Sequence, residues 1–134
     1  MNMESEDKII RNKDTGTKLE RYIKSFFHAL DGIKYATLKE HNMIIIIFAL
    51  IFAIIMGIVF NISTYEWLFT IIVIGLVVGA ELINTAIEAV VDLVSPKYNI
   101  LAKIAKDTAS SATLIFSLTA LIGALVIYIP KILG

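Results

Sequence analysis

No cysteine occurs in the 134 residues, which excludes disulfide bonds and thiolate metal sites and leaves the redox compartment unmarked. Proline occurs twice, and each copy reads as punctuation. Ser95-Pro96 stops a helix, because proline cannot continue it and restricts the residue before it, and Pro130-Lys131 closes the chain. Net charge is absent as well, so whole-chain charge points to no partner, and no nucleic-acid partner is expected. The first 42 residues hold no apolar segment of the kind that builds a signal peptide, so none is expected ahead of the first hydrophobic run. Met43 to Phe60 lacks polar side chains over 18 residues, and this run carries no chemistry of its own.

What is present in excess is apolar surface. With 57% hydrophobic residues and a mean hydropathy of +0.80, the chain is too apolar for an ordinary soluble domain and too short for more than one domain. The fold class expected is all-α and integral to the membrane. Three transmembrane helices at about 43–60, 67–95 and 110–129 follow an amphipathic interfacial helix at 18–39 and a mobile tail at 1–17. In the tail, Asp14-Thr15-Gly16 and Gly16-Thr17-Lys18 match fragments of protease and phosphate-loop motifs but lack the surrounding residues those motifs need. In the amphipathic helix, Leu19, Tyr22, Ile23, Phe26, Phe27, Leu30 and Ile33 share one face, opposite Arg21, Lys24, His28 and Asp31. Such a helix directly before a span belongs at the bilayer surface.

The connection Asn61 to Glu66 holds no lysine or arginine, and Tyr65 and Trp67 beside it read as interfacial aromatics. In the second span, Gly75 and Gly79 form a small-residue pair suited to close helix packing. Beyond Pro96, Asn99 is a plausible cap for a helix that carries Lys103, Lys106 and Asp107 into the third span.

Within the second span, Glu81, Asn84, Glu88 and Asp92 fall in roughly an 80° arc over about 16 Å of helix axis. Each ionisable group in a membrane helix costs a few kcal/mol, and no basic residue shares this helix. The charge must be balanced from outside it, and a divalent cation is the economical candidate. Eight of the twelve basic residues precede the first span, three lie in the second loop (Lys97, Lys103, Lys106) and one is Lys131. The positive-inside rule then sets the N-terminus and the second loop in the cytoplasm of a multi-pass cell-membrane protein. Carboxylates suited to Mg²⁺ and lysines suited to phosphate gather on the side where ATP is found, with Glu81 deeper. Phosphoryl transfer to a lipid hydroxyl needs little else. Two other readings stay open on these residues: interhelical polar bonding within an oligomer, and a small ion-coupled transporter.

The run Glu81-x-x-Asn84-Thr85-Ala86-Ile87-Glu88-x-x-x-Asp92, followed by Ala105-Lys106-Asp107-x-x-Ser110, closely resembles the signature of the small prokaryotic integral-membrane diacylglycerol kinase family. Upstream, Lys24-Ser25-Phe26-x-His28-Ala29-x-x-Gly32-Ile33 and Glu40-x-Asn42 resemble its Gram-positive branch, chiefly undecaprenol kinases. The resemblance implies a homotrimer with active sites shared between protomers. It implies Glu81 as catalytic base, in contact with the lipid substrate, and Glu40 and Glu88 as holders of Mg²⁺ together with ATP. Asn84, Lys106 and Asp107 would position the nucleotide, with Arg21, His28, Lys97, Tyr98 and Asn99 in places that touch ATP in relatives. Ser110 would contact the lipid. The expected substrate is undecaprenol, with diacylglycerol as the alternative. Many relatives carry a polar residue and a histidine where this chain has Ile44 and Ile45, a departure that bears on lipid choice.

Overall fold

A computed structural model describes residues 17–134. Residues 1–16 of the expected tail, with the Asp14-Thr15-Gly16 triplet and the cations Lys8, Arg11 and Lys13, lie outside the described residues. The chain divides into two units, Met1–Tyr35 and Ala36–Gly134.

In the first unit a reciprocal cap starts α1 (Lys18–Lys39). The Thr17 amide donates to the Glu20 carboxylate at 3.0 Å, and the Glu20 amide donates to the Thr17 hydroxyl at 3.3 Å. Leu19, Tyr22, Phe26 and Phe27 stand exposed along one face, and the two phenylalanine rings meet edge to face at 6.1 Å. An uncovered aromatic stripe of this kind suits a helix lying at a bilayer surface. The last turn of α1, from Ala36 onward, belongs to the second unit, and Ala36 is buried there.

The second unit continues with α2 (His41–Val59), α3 (Thr64–Val94) and α4 (Ile100–Leu133); the described residues form no strand. Each of the three is long and apolar enough to cross a membrane. Asn61 ends α2 by taking a positive φ of 45°. Its amide donates to the Ile58 carbonyl at 3.2 Å and that of Ile62 to Gly57 at 3.1 Å, which satisfies carbonyls the helix end would otherwise strand. Buried Ile62 closes the turn. The next helix begins at once, because Ser63 and Glu66 form a second reciprocal cap, with the Ser63 amide 2.6 Å from the Glu66 carboxylate. That cap moves the start of α3 to Thr64, three residues ahead of the expected boundary at 67.

Asn99 caps α4 by accepting from the amides of Leu101 (2.8 Å) and Ala102 (3.4 Å). The expected short helix and the expected span at 110–129 are one continuous element from Ile100 to Leu133. Pro130 does not end it. Proline there cannot donate to the carbonyl four residues earlier, yet the helix runs on for three residues, and Lys131 just after it pairs with Glu66 at 3.2 Å. At 31 and 34 residues, α3 and α4 are about 46 and 51 Å long, well beyond a hydrocarbon core of about 30 Å, so polar ends project past it.

The antiparallel pair α3 and α4 makes the principal interface, with Asp92–Lys106 at one end and Glu66–Lys131 at the other. Phe69 lies directly over Gly123, where any Cβ would overlap its ring. Helix α2 leans on α3, and Trp67 lies over Gly57, whose substituted Cβ would come within 2.6 Å of the indole. Trp67 is thus a half-buried packing residue rather than only an interfacial one. Gly75 and Gly79 behave differently: a Cβ on either meets nothing within 4 Å. Together with Ala80, Ala109 and Ala112 they line an apolar groove of about 290 Å³, so the close packing expected of them is not made within one chain.

Candidate active site

Glu81 is the most deeply enclosed acid among the described residues, 1% exposed, and neither carboxylate oxygen has a hydrogen-bond partner. It sits a little past the middle of α3, where the helix is covered on one side by α4. Its carboxylate looks into a cleft of about 270 Å³ lined by Asn42, Ile45 and Ile46 of α2 and by Ser110, Thr113 and Ser117 of α4. Thr113 and Asn42 are the polar side chains that face it. Neither approach meets hydrogen-bond geometry. A buried carboxylate without donors is costly, and such a group persists where a ligand completes it.

Asn84, one turn on, is buried, and its amide nitrogen donates to Glu88 Oε1 at 3.3 Å. That bond orients the Glu88 carboxylate, while the Asn84 carbonyl oxygen is buried without a partner. Glu40 comes to the same region from the junction of α1 and α2. Its amide bonds the Ala36 carbonyl at 2.9 Å and closes α1, its extended backbone starts α2, and its side chain makes no capping bond. The carboxylate is therefore not consumed by the helix end. Glu40 and Glu88 both lie close enough for their charges to act on Glu81. The structure thus brings Glu40 and Glu88 within electrostatic range of Glu81, while of these acids only Glu81 lines the cleft itself.

This donor set fits magnesium better than a protein-only cage. Among the described residues no three His, Cys, Asp or Glu side chains converge to hold a metal by themselves. Magnesium takes one or two carboxylates and completes its shell with phosphate oxygens and water. Glu88, bonded to Asn84, and the uncommitted carboxylate of Glu40 are donors of that type.

Further along α3 and α4, Lys106 reaches across to Asp92 at 2.6 Å. Asp107 is held by Lys103 at 2.8 Å one turn earlier on the same helix. Lys106 thus meets one of the α3 acids, whereas Asp107 pairs along its own helix. The Lys97-Tyr98-Asn99 turn is exposed, and the Asn99 side-chain oxygen is committed to capping α4. Ser110 is exposed on the rim of the Glu81 cleft. Arg21 and His28 are exposed on α1 in the first unit, where Arg21 lines an open groove with Lys18, Tyr22 and Ser25.

Three residues of the cleft were not anticipated: Asn42, Thr113 and Ser117. Their signal was present, because Ser110, Thr113 and Ser117 recur at i, i+3 and i+7 and so share one face of α4. Below the cleft, an apolar groove of about 430 Å³ continues from Ile45, Ile46 and Ser117 past Ala120 and Leu121 to Tyr128.

Comparison with known proteins gives three findings. The profile of the prokaryotic diacylglycerol kinase family matches residues 27–128, most of the chain. An undecaprenol kinase of Bacillus subtilis is 38% identical over 121 residues, which covers 90% of this chain and 98% of that protein. A diacylglycerol kinase of Helicobacter pylori is 38% identical over 96 residues, covering 72% of this chain and 75% of that protein.

Proposed function

This chain belongs to the prokaryotic diacylglycerol kinase family and is a multi-pass membrane lipid kinase, and we propose that it transfers the γ-phosphoryl group of ATP to undecaprenol. The alcohol oxygen attacks the γ-phosphorus as its proton passes to Glu81. The bond from that phosphorus to the β-phosphate oxygen breaks, and ADP and undecaprenyl phosphate leave. The observation that carries this reading is the Glu81 carboxylate, buried, without donors and open to a cleft that continues into an apolar groove. A base needs the first, and a long-chain alcohol needs the second.

Glu40 and Glu88 would hold Mg²⁺, with Asn84 orienting Glu88. When bound, the ion supplies neutralisation of the β- and γ-phosphate charge. Lys106 is the cation for the phosphates; Asp107, Arg21, His28, Lys97, Tyr98 and Asn99 attend the nucleotide, and Ser110 the lipid. The N-terminus and this site face the cytoplasm, in keeping with the basic residues of the second loop. The protein works as a homotrimer, and the uncovered groove at Gly75 and Gly79 is suited to a helix of a neighbouring copy.

Undecaprenol is preferred over diacylglycerol on two grounds. The Bacillus relative that matches nearly end to end is an undecaprenol kinase. The α2 wall of the cleft presents Ile45 and Ile46, which suits a lipid with one oxygen better than one with two further esters. Diacylglycerol is the second reading, supported by the Helicobacter relative. Transport has no broken helix to rest on, since α2, α3 and α4 are each continuous. The test is a paired assay of the purified protein in mixed micelles with MgATP and either lipid. Undecaprenol should give the higher kcat/KM. Equal or better turnover of diacylglycerol would reverse the substrate assignment, and no phosphorylated product from either would remove the kinase reading of the site.

A further inference from the structure

Four hydroxyl side chains on α3 and α4 fold back onto their own backbone. Thr70 donates to the Glu66 carbonyl at 2.8 Å, Thr85 to Glu81 at 3.0 Å, Ser111 to Asp107 at 2.7 Å and Thr119 to Ile115 at 2.9 Å. This is the ordinary way for a helix to satisfy a hydroxyl where water is scarce. Thr113 departs from it. Its oxygen is buried, makes no hydrogen bond and faces Glu81 across the cleft. Two orphaned polar groups, a carboxylate and a hydroxyl, therefore confront one another in one small space. Native interiors rarely leave such groups unpaired without a ligand, ion or water to complete them.

We propose that Thr113 is a substrate-binding residue that holds the reacting hydroxyl of the lipid beside Glu81. The proposal rests on the reading of Glu81 as the base. A primary alcohol satisfies both orphans at once, because its O–H donates to the Glu81 carboxylate and its oxygen accepts from the Thr113 hydroxyl. The second lone pair of that oxygen stays available for attack on phosphorus. The opposite wall cannot take this part, since Ile45 and Ile46 have no donor, and Asn42 is exposed at the mouth where water can satisfy it. Recognition of the alcohol oxygen thus comes from α4, from a hydroxyl face that continues through Ser110 and Ser117.

The experiment compares Thr113→Val, which keeps the shape and removes the hydroxyl, with Thr113→Ser, which keeps the hydroxyl. Both are measured in the full chain with MgATP and undecaprenol in mixed micelles, alongside wild type and Glu81→Gln. Thr113→Val should raise the lipid KM roughly three- to tenfold, the range for one lost hydrogen bond, with the ATP KM unchanged. Thr113→Ser should return the lipid KM to within twofold of wild type. A lipid KM unchanged in Thr113→Val overturns the proposal. So does a loss shared equally by both substrates together with a lowered melting temperature, which would make Thr113 a packing residue. Failure of the underlying reading looks different: wild type makes no phosphorylated lipid, or Glu81→Gln turns over normally.

Discussion

Lys106 on α4 and Asp92 on α3 meet at 2.6 Å, and this ion pair ties the two longest helices together at the end of the bundle where the second loop joins them. With side chains 33% and 59% exposed, the pair is open enough that it contributes about 1 kcal/mol of stability or less. Asp92→Asn should therefore shift the melting temperature by only a few degrees. Lys106→Met removes the cation proposed to bind the phosphates and should raise the KM for ATP by roughly ten- to a hundredfold, the cost of a lost charged hydrogen bond. An unaltered ATP KM in Lys106→Met would reassign this lysine to fastening helices.

Glu81→Gln keeps the shape of the side chain and removes its ability to accept a proton. Turnover should fall by about 10² to 10⁴, the usual contribution of a positioned base. Binding of a fluorescent ATP analogue should persist at wild-type affinity. If nucleotide affinity collapses along with turnover, Glu81 belongs to the metal site instead.

Glu88 is oriented by Asn84 at 3.3 Å, and it is proposed to hold Mg²⁺ together with Glu40. Chelation should abolish activity and added Mg²⁺ should restore it. Glu88→Gln should shift the Mg²⁺ concentration for half-maximal activity upward at least tenfold, while Asn84→Leu should produce a smaller shift in the same direction. A Glu88→Gln enzyme with an unchanged Mg²⁺ titration would exclude this carboxylate as a ligand.

The glycines separate packing inside one chain from packing between copies. Gly57→Ala drives a Cβ to within 2.6 Å of the Trp67 indole and should cost about 1–3 kcal/mol, as overpacked cores do. Denaturant titration in micelles measures that loss. Gly79→Leu meets nothing within 4 Å in its own chain and should leave the isolated fold intact. If a second copy fills the groove, the same substitution should dissociate the oligomer, seen by light scattering of the detergent complex. An oligomer unaffected by Gly79→Leu would exclude this groove from the contact.

The helices were legible because their causes are local. A run of 18 apolar residues, a Ser-Pro stop, an Asn99 cap and one-face spacing in α1 all act over a few residues, and α1–α4 follow from them. At the start of α3 an overlooked local signal explains the difference: Ser63-x-x-Glu66 is a helix start, and it sets α3 at Thr64. The stripe of Glu81, Asn84 and Glu88 was equally readable, since periodicity alone gathers residues of one helix on one side.

Periodicity does not say which side of one helix meets which side of another, because that depends on rotation and register settled by packing of the whole bundle. Only the tertiary structure sets Lys106 against Asp92, Glu66 against Lys131 and the Trp67 ring over Gly57. It alone brings Glu40 from 41 residues away to the neighbourhood of Glu81 and turns Thr113 toward the same carboxylate. The sequence by itself determined a set of apolar helices and an acidic face that something must neutralise. The packing of α2 and α4 around α3 decided what else looks into that cleft, since contacts between distant segments are fixed by shape complementarity rather than by the spacing of residues along the chain.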